Sequence, residues 1–421
     1  MRVGVIGSGG REHALVWKLA QSKHAREVHA LPGNPGMTGL ATLHDVKSDA
    51  ASLLSAIQDL KIEFVVVGPE QPLAEGLIDE LEARKIACFG PVKAAARLES
   101  SKVFSKELMK SCGVPTADFR VFDDFEQFEK YVVGSPRANG RVVKADGLAA
   151  GKGAFVCADD AEALDTGRKL LVDRLLGEAG ARVVVEEKLS GREASLHFLC
   201  DGEKFLALPP AQDYKRASDG DFGPNTGGMG TFCPARHVRA ETIVYSEAEI
   251  VKPILHALDK QGAPYRGLLY VGLMLTDNGP QVIEFNCRFG DPETQVMLPC
   301  LGYDLLEAMV ECSKGLLEPQ KYPREATGNA VCVVLSAEGY PDSYKKGYPL
   351  KQVEAKGSQI LFSAGTALKD GEWVSSGGRV LNAVGVGESM KAARDAAYDL
   401  ANEAMVDGLR MRGDIALSEV S

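Results

Sequence analysis

The sequence predicts a multidomain protein of mixed α/β and α+β class, and three observations carry that expectation. A length of 421 residues exceeds what one ordinary core holds, so two to four compact units are expected. The first hundred residues alternate short apolar runs with helical stripes, which implies right-handed βαβ crossovers and a parallel sheet covered on both faces. From Arg141 onward the texture changes to short β runs parted by glycine-rich turns.

Taken in order, Val3-Gly-Val-Ile6 reads as a buried strand, and Ala14, Leu15, Leu19 and Ala20 form a helical stripe. Val28 to Leu31 is the next strand, followed by a helix marked by Ala50, Leu53, Leu54 and Ile57. Phe64 to Val67 makes a third strand, Leu73, Leu77, Ile78 and Leu81 a helix, and Ile86 to Phe89 a fourth strand. Ser100-Ser101 opens a helix with Phe104, Leu108, Met109 and Cys112 on one side, and Gly113-Val-Pro115 stops it. Strands are expected at 142–144, 183–187 and 194–200. Residues 209–232 are rich in Gly, Pro, Asp and Asn without apolar periodicity, which predicts a long loop of the kind that carries function. A helix around 240–261 leads to strands at 268–275 and 280–286. After Tyr322-Pro323 the pattern resets, with strands near 329–336 and 379–387 and a helix from about 388 to 407.

The chain carries 48 basic and 58 acidic side chains, a net charge of −10. That balance argues against a general binder of nucleic acid or anionic membrane, so an anionic substrate has to be met by helix N-termini, paired lysines or a metal ion. Nine cysteines are scattered singly with no CxxC pair, which predicts reduced thiols and a cytoplasmic location. The apolar start is too short for a secretory leader, and no run approaches the ~18 apolar residues of a membrane span.

Four segments carry chemistry. Gly7-Ser8-Gly9-Gly10-Arg11-Glu12 lies between a strand and a helix, where glycines let backbone approach a phosphate and the helix start offers free N–H groups. A dinucleotide fingerprint fails there twice: Glu12 takes the third glycine position, and Leu31-Pro-Gly-Asn34 lacks the ribose-binding acid. Phosphate or phosphosugar binding and a structural tight turn both remain open for this cluster. Lys144-Ala-Asp-Gly147-Leu-Ala-Ala-Gly151-Lys152-Gly153 interleaves glycines and lysines between β segments, which suits a mobile flap over polyphosphate; a solvated hairpin is the plainer reading. Glu284, Asn286 and Arg288 are spaced by two along a strand, so they are expected on one side. Their carboxylate and amide oxygens are hard ligands suited to Mg²⁺, and the guanidinium offsets negative charge; an edge-strand salt bridge is the alternative. Gln212-Asp213-Tyr-Lys215-Arg216 and Gly223-Pro-Asn225-Thr226-Gly227-Gly228-Met229-Gly230 offer many donors together, as a ligand loop or as a structural Ω-loop.

In this order the segments resemble the glycinamide ribonucleotide synthetase (phosphoribosylamine–glycine ligase) family of the ATP-grasp superfamily. The match runs from Gly7 to Ala14, through Gly68-Pro-Glu70, 144–152, 223–230 and 284–293, to Gly377-Gly-Arg-Val380. The resemblance implies ATP-dependent ligation of glycine to 5-phosphoribosylamine through a glycyl phosphate, giving glycinamide ribonucleotide, ADP and phosphate. That is the second step of de novo purine biosynthesis. It also implies a Rossmann-like substrate-binding domain over 1–101, an ATP-grasp region over 102–325 with a flap at about 118–190, and a small α+β domain over 326–421.

Carried over residue by residue, Lys102 and Lys144 resemble the lysines on the ATP phosphates, with Gly147 and Gly151 in the flap loop. Glu186, Glu187 and Leu189 look like the adenine hinge and Glu193 the ribose contact. Glu284 and Asn286 match ligands for Mg²⁺ (or Mn²⁺), with Arg288 and Lys144 as the catalytic cations. The substrate group is Gly9, Gly10, Arg11, Glu12, Asn34, Glu70, Asp213, Lys215, Asn225, Thr226, Gly227, Gly228, Arg288 and Asp291. Many ATP-grasp enzymes carry a further acid on the preceding strand, but Tyr270-Val-Gly272-Leu has none. Arg379 is expected to be structural. A chain ending at Ser421 is expected to be a monofunctional, bacterial-type protein. The expected assembly is a monomer or weak homodimer. The rival readings are another ATP-grasp carboxylate–amine ligase, an NAD-dependent oxidoreductase on the N-terminal sheet, and a catalytically silent nucleotide-binding module.

Overall fold

The computed structural model describes residues 1–149 and 152–420. Its N-terminal part runs β1 (Arg2–Gly7), α1 (Gly10–Leu19), β2 (Glu27–Pro32), β3 (Thr42–Leu43), α2 (Ala50–Asp59), β4 (Phe64–Val67), α3 (Glu70–Glu75), α4 (Leu77–Ala83), β5 (Ala87–Phe89) and α5 (Lys93–Ser100). The strands are parallel in the order β3-β2-β1-β4-β5. Val3, Val5, Ala30 and Phe64 pack on one face with α1, while Ile6, Leu31, Val65 and Val67 pack on the other with α2, α3 and α4. Burial on both faces is why these strands read as unbroken apolar runs. Strand order reverses between β1 and β4, so the loops after their C-terminal ends, Gly7–Gly10 and 68–70, border a crevice.

Helix α6 (Lys102–Ser111) starts at Ser101, whose side chain accepts the Phe104 N–H. There follow β6 (Phe119–Phe122), α7 (Phe125–Gly134), β7 (Arg141–Ala145), β8 (Ala154–Cys157), α8 (Asp160–Leu171) and β9 (Val183–Glu187). Their antiparallel sheet, ordered β6-β9-β7-β8, packs its own core of Phe128, Val132, Val143, Leu170, Val183 and Val185.

Beyond them lie β10 (Arg192–Asp201), β11 (Phe205–Ala207), β12 (Gln212–Asp213), β13 (Arg216–Ser218), β14 (Phe222–Asn225) and β15 (Gly230–Cys233). The expectation of a structureless loop over 209–232 is therefore corrected. β13 and β14 pair with each other, while β12 and β15 join a sheet formed mostly by much later residues. These strands are too short to show alternation, and what holds them is backbone pairing with partners remote in sequence.

Next come α9 (Ala240–Ser246) and α10 (Lys252–Lys260), joined by a π-helical turn, then β16 (Arg266–Thr276) and β17 (Gly279–Asn286). With β10 and β11 they form an antiparallel sheet ordered β11-β10-β16-β17. The chain continues through α11 (Thr294–Met297), α12 (Leu305–Lys314), β18 (Asn329–Ala337), β19 (Gln359–Ser363), β20 (Thr366–Lys369), β21 (Glu372–Ser375), β22 (Arg379–Gly387), α13 (Met390–Ala404) and β23 (Leu409–Arg410). The last large sheet runs β12-β15-β18-β22-β19, with β23 on β18 and α13 across β22 and β18. All nine cysteines are free thiols, and no helix among the described residues is long and apolar enough to cross a membrane.

Two buried histidines have pKa values well below the ordinary range. His13 of α1 accepts the Ser363 N–H through Nδ1 at 2.9 Å, and burial pushes its pKa down to about 4. His197 of β10 is fully buried edge-on to Tyr270, with ring centroids 4.7 Å apart, and neither ring nitrogen has a hydrogen-bond partner among the described residues. Burial, aided by the charge of Arg288, lowers its pKa to about 3. Below the ordinary value of 6.5 the unfolded chain takes up both protons, whereas the folded chain waits until about 4 and about 3. Stability therefore falls as pH drops through that window, by about 1.4 kcal/mol per pH unit for each histidine. Urea unfolding at pH 7 and pH 5 should show that loss, and His197→Phe should flatten it by about one proton's worth. Equal pH dependence in the two proteins would count against neutral burial of His197.

Candidate functional site

The central charges converge where the β6–β9 sheet meets the β10–β17 sheet. Lys144 on β7 and Glu186 on β9 share a face, and Lys144 Nζ donates to the Glu186 carboxylate at 3.0 Å. The same ammonium donates to the Ile283 carbonyl at 2.9 Å on β17. Lys106, one turn beyond Lys102 on α6, approaches Glu186 Oε2 at 3.1 Å and donates to Thr116 Oγ1 at 2.7 Å. Thr116 in turn donates to the Val282 carbonyl at 2.6 Å, so this polar chain crosses from α6 to β17. Lys106, Lys144 and Glu186 are all buried, and burial pushes the Lys106 pKa down to about 8 despite Glu186 beside it.

A β-bulge aims the next residues. Gly272 pairs with Glu284 but Leu273 pairs with Val282, which leaves Ile283 as the extra residue on β17. Glu284 and Asn286 follow the bulge two apart, as expected from strand period, while Arg288 lies past the strand end. Lys102 Nζ stands 3.7 Å from Glu284 Oε2. Burial alone would raise the Glu284 carboxyl, but Lys102, Lys215, Lys144 and Arg288 outweigh it and hold the pKa at about 2. Arg288 meets Asn286 Oδ1 at 3.4 Å, Glu70 at 3.4 Å and Glu99 at 3.1 Å. Glu99 also accepts the Cys287 N–H at 2.6 Å.

Lys215, in the link between β12 and β13, pairs with Glu193 of β10 at 3.1 Å. Burial raises the Asp213 pKa to about 7, with Lys215 opposing and Glu293 and Glu193 adding to the rise. Asn225 ends β14 opposite Arg216. Thr226 Oγ1 donates to the Lys215 carbonyl at 2.8 Å and accepts the Gly228 N–H at 3.0 Å, while the Gly227 N–H donates to Tyr340 Oη at 2.9 Å.

A second region lies at the β1 crevice. Ser8, Gly9, Gly10, Asn34, Asp291 and Arg379 are among the residues lining a cavity of about 380 Å³. Arg379 donates to Asp291 Oδ2 at 2.8 Å and to the Gly227 carbonyl at 2.6 Å, and Gln295 Nε2 donates to Asp291 Oδ1 at 2.7 Å. Asn34 spans Ser8 and Ser363 by donating to both carbonyls, at 2.8 Å and 3.0 Å. Gly7 has φ +118, and a Cβ there would sit 2.6 Å from Glu12 Cγ, so the turn needs glycine.

The structure thus gathers the expected residues into two clusters and sets some apart. Arg11 and Glu12 are paired with each other at 2.6 Å and buried; Glu12 accepts the Gly9 N–H, so both brace the glycine turn. Gly147 donates to the Ala179 carbonyl at 3.3 Å, and Gly151 lies outside the described residues. The Glu187 carboxylate meets Arg137 at 3.3 Å, and Leu189 is half-buried in the link between β9 and β10. Arg379, expected to be structural, lines the cavity with Asp291. Sequence reasoning missed Lys106, Glu99, Tyr340 and Thr366. Of these only Lys106 left a signal, its position four residues after Lys102 on the same helix face.

A parallel-sheet domain, an antiparallel sheet bearing an acid and an amide, and a small β unit whose lysine reaches across to it together match the ATP-grasp class of ligases. Models of the phosphoribosylglycinamide synthetase N domain, ATP-grasp (A) domain and C domain match residues 1–99, 100–294 and 330–418 in turn. The chain belongs to the phosphoribosylglycinamide synthetase family. It is 44% identical to a phosphoribosylamine–glycine ligase of Rhodopirellula baltica, over 98% of this chain and 96% of that one. The trifunctional purine biosynthetic protein adenosine-3 of Homo sapiens is 41% identical across 100% of this chain, which spans 42% of that protein. Among solved structures, a phosphoribosylamine–glycine ligase from Thermotoga maritima superposes with a TM-score of 0.87 at 39% identity, covering 98% of this chain and 100% of that one. A 2-oxoglutarate carboxylase biotin carboxylase domain from Hydrogenobacter thermophilus, solved with MgADP, shares the fold at TM-score 0.74 and 16% identity, over 97% and 91% of the two chains.

Removing Glu186 leaves two buried ammoniums without their common anion. Glu186→Ala should therefore lower unfolding free energy by about 3 kcal/mol in urea titrations, and Glu186→Gln by less. A loss below about 1 kcal/mol for Glu186→Ala would mean that the pair is not held dry.

Proposed function

We propose that this chain joins glycine to 5-phosphoribosylamine, converting ATP to ADP and phosphate and yielding glycinamide ribonucleotide within purine biosynthesis. A carboxylate oxygen of glycine attacks the γ-phosphorus as ADP leaves. The substrate amine then attacks the acyl carbon of glycyl phosphate, and phosphate departs. The difficulty is electrostatic, because glycine's carboxylate and the triphosphate repel. The observation that carries the reading is Glu284, held ionised among Lys102, Lys144, Lys215 and Arg288 at the seam of the two sheets. Cations so placed offset the repulsion, and positioning supplies much of the rest.

In this reading Lys102 and Lys144 engage the ATP phosphates. Glu186, Glu187 and Leu189 form the adenine hinge, mainly through backbone because Lys106 and Lys144 occupy the Glu186 carboxylate. Glu193 meets the ribose, and the 144–152 loop with Gly147 and Gly151 covers the phosphates and excludes water. Glu284 and Asn286 fit Mg²⁺ (or Mn²⁺): one supplies an ionised carboxylate, the other an amide oxygen that, among the described residues, meets Arg288 alone at 3.4 Å. Gly272 and Tyr270 stand opposite them on β16, so β16 supplies no acid across from them and the protein offers few ligands. When bound, the ion neutralises phosphate oxygens and draws electron density from the phosphorus. Arg288 offsets charge on the transferring phosphate. Asp291 and the Asn225–Gly228 loop receive the two amines, Asp213 and Lys215 contact the substrates beside them, and Glu70 fixes Arg288. Gly9, Gly10 and Asn34 hold the sugar phosphate, with Arg11 and Glu12 behind them.

The corresponding division is 1–101 for the amine substrate, 102–325 for ATP and metal with its flap at about 118–190, and 326–421 closing the substrate side. A net charge of −10 supports small-molecule substrates rather than nucleic acid or membrane, in a cytoplasmic monomer or weak homodimer. Phosphate release from ATP and Mg²⁺ should require both glycine and freshly generated phosphoribosylamine, with matching glycinamide ribonucleotide by mass spectrometry. Need for a different amino acid or amine would overturn the substrate assignment. Lys144→Ala and Glu284→Ala should each cut turnover more than ~100-fold, and near-wild-type rates would remove those two residues from the mechanism.

A further inference from the structure

The start of α1 faces the C-terminal sheet across the 380 Å³ cavity, a volume in the range of small-molecule sites. Helix α1 is ten residues long; Glu12 already accepts the Gly9 N–H, so what the helix start offers the cavity is Gly10 and the positive end of the dipole. Gly10 admits nothing larger, since a Cβ there would lie 2.3 Å from Asn382 Nδ2 on β22. The C-terminal sheet therefore packs directly on the helix start.

The opposite wall is the turn 364–365 with Thr366, the first residue of the β20–β21 hairpin, and Ser376 just beyond the hairpin. Thr366 opens β20 and is only 6% exposed, yet its Oγ1 has no hydrogen-bond partner among the described residues. A buried hydroxyl left unmet is costly, and one lining a cavity marks a place for a ligand acceptor. The two guanidiniums nearby are already engaged, Arg379 by Asp291 and Arg11 by Glu12. Recognition of an anion here falls to N–H and O–H donors.

We propose that the β20–β21 hairpin is the second half of the sugar-phosphate site. In it Thr366 and Ser376 donate hydroxyl hydrogen bonds to the phosphate that the start of α1 receives. The C-terminal sheet is then a specificity element, selecting a phosphorylated amino sugar over the same sugar without phosphate. This rests on the reading above that the amine substrate occupies this cavity.

The product and its dephosphorylated form, glycinamide ribonucleotide and glycinamide riboside, separate this role from a structural one. By calorimetry Thr366→Val should weaken the ribonucleotide about tenfold and leave the riboside unchanged, since only the phosphate meets the hydroxyl. KM for phosphoribosylamine should rise by a similar factor with KM for ATP unmoved. Ser376→Ala should shift the ribonucleotide in the same direction, and it serves alone should Thr366→Val fail to fold. Ribonucleotide affinity within about threefold of wild type in the variants, or equal weakening of the riboside, overturns the inference. A wild-type protein that turns over ATP with another amine and binds no ribonucleotide sinks the functional reading, and this inference with it.

Discussion

Glu186 lies between Lys106 and Lys144, and the arrangement of the central site depends on that contact. A lone carboxylate at this depth would cost far more than one ion pair returns. Two ammoniums on one anion, with Thr116 and the Ile283 carbonyl taking further donors, neutralise the group and leave one positive charge over. That surplus stands beside Glu284 and Lys102 in a chain whose net charge is −10. A protein that is anionic overall thus presents a locally cationic seam, which is what polyphosphate chemistry demands of it.

The same contacts hold two sheets in register. Lys144 belongs to β7, but one of its acceptors is the bulge residue of β17. Thr116 and Pro115 hydrogen-bond Val282 just before that bulge. The bulge re-aims Glu284 and Asn286 while Arg288, past the strand, is fixed from the N-terminal side by Glu70 and Glu99. Each charged group is positioned by a partner from a different element, so none of the three layers assembles the site alone.

Much of the architecture was legible in advance. Runs such as Phe64–Val67 could only be strands buried on both faces, and the helical stripes between them required crossovers. Periodicity also placed β16, β17, β18, β22 and α13 to within a few residues. The segment 209–232 was not legible, because its strands run two to four residues and one pairs with β18 a hundred positions later. Arg379 and Tyr340 were illegible for the same reason: their partners Asp291 and Gly227 are remote in sequence, and nothing near either residue announces them. Arg11 and Glu12 show the converse, since their chemistry suggested ligand contact while the fold spends them on bracing a turn.

The sequence by itself determined the classes of element, the glycine turns and the placing of Glu284 and Asn286 two apart on one strand, because these follow from local sterics and strand period. Tertiary structure decided which charges are free to meet a ligand and which are already paired, because pairing depends on distances between segments that no local pattern encodes. It also decided that Thr366 of β20 and Arg379 of β22 line the cavity at the start of α1, together with the glycine turn.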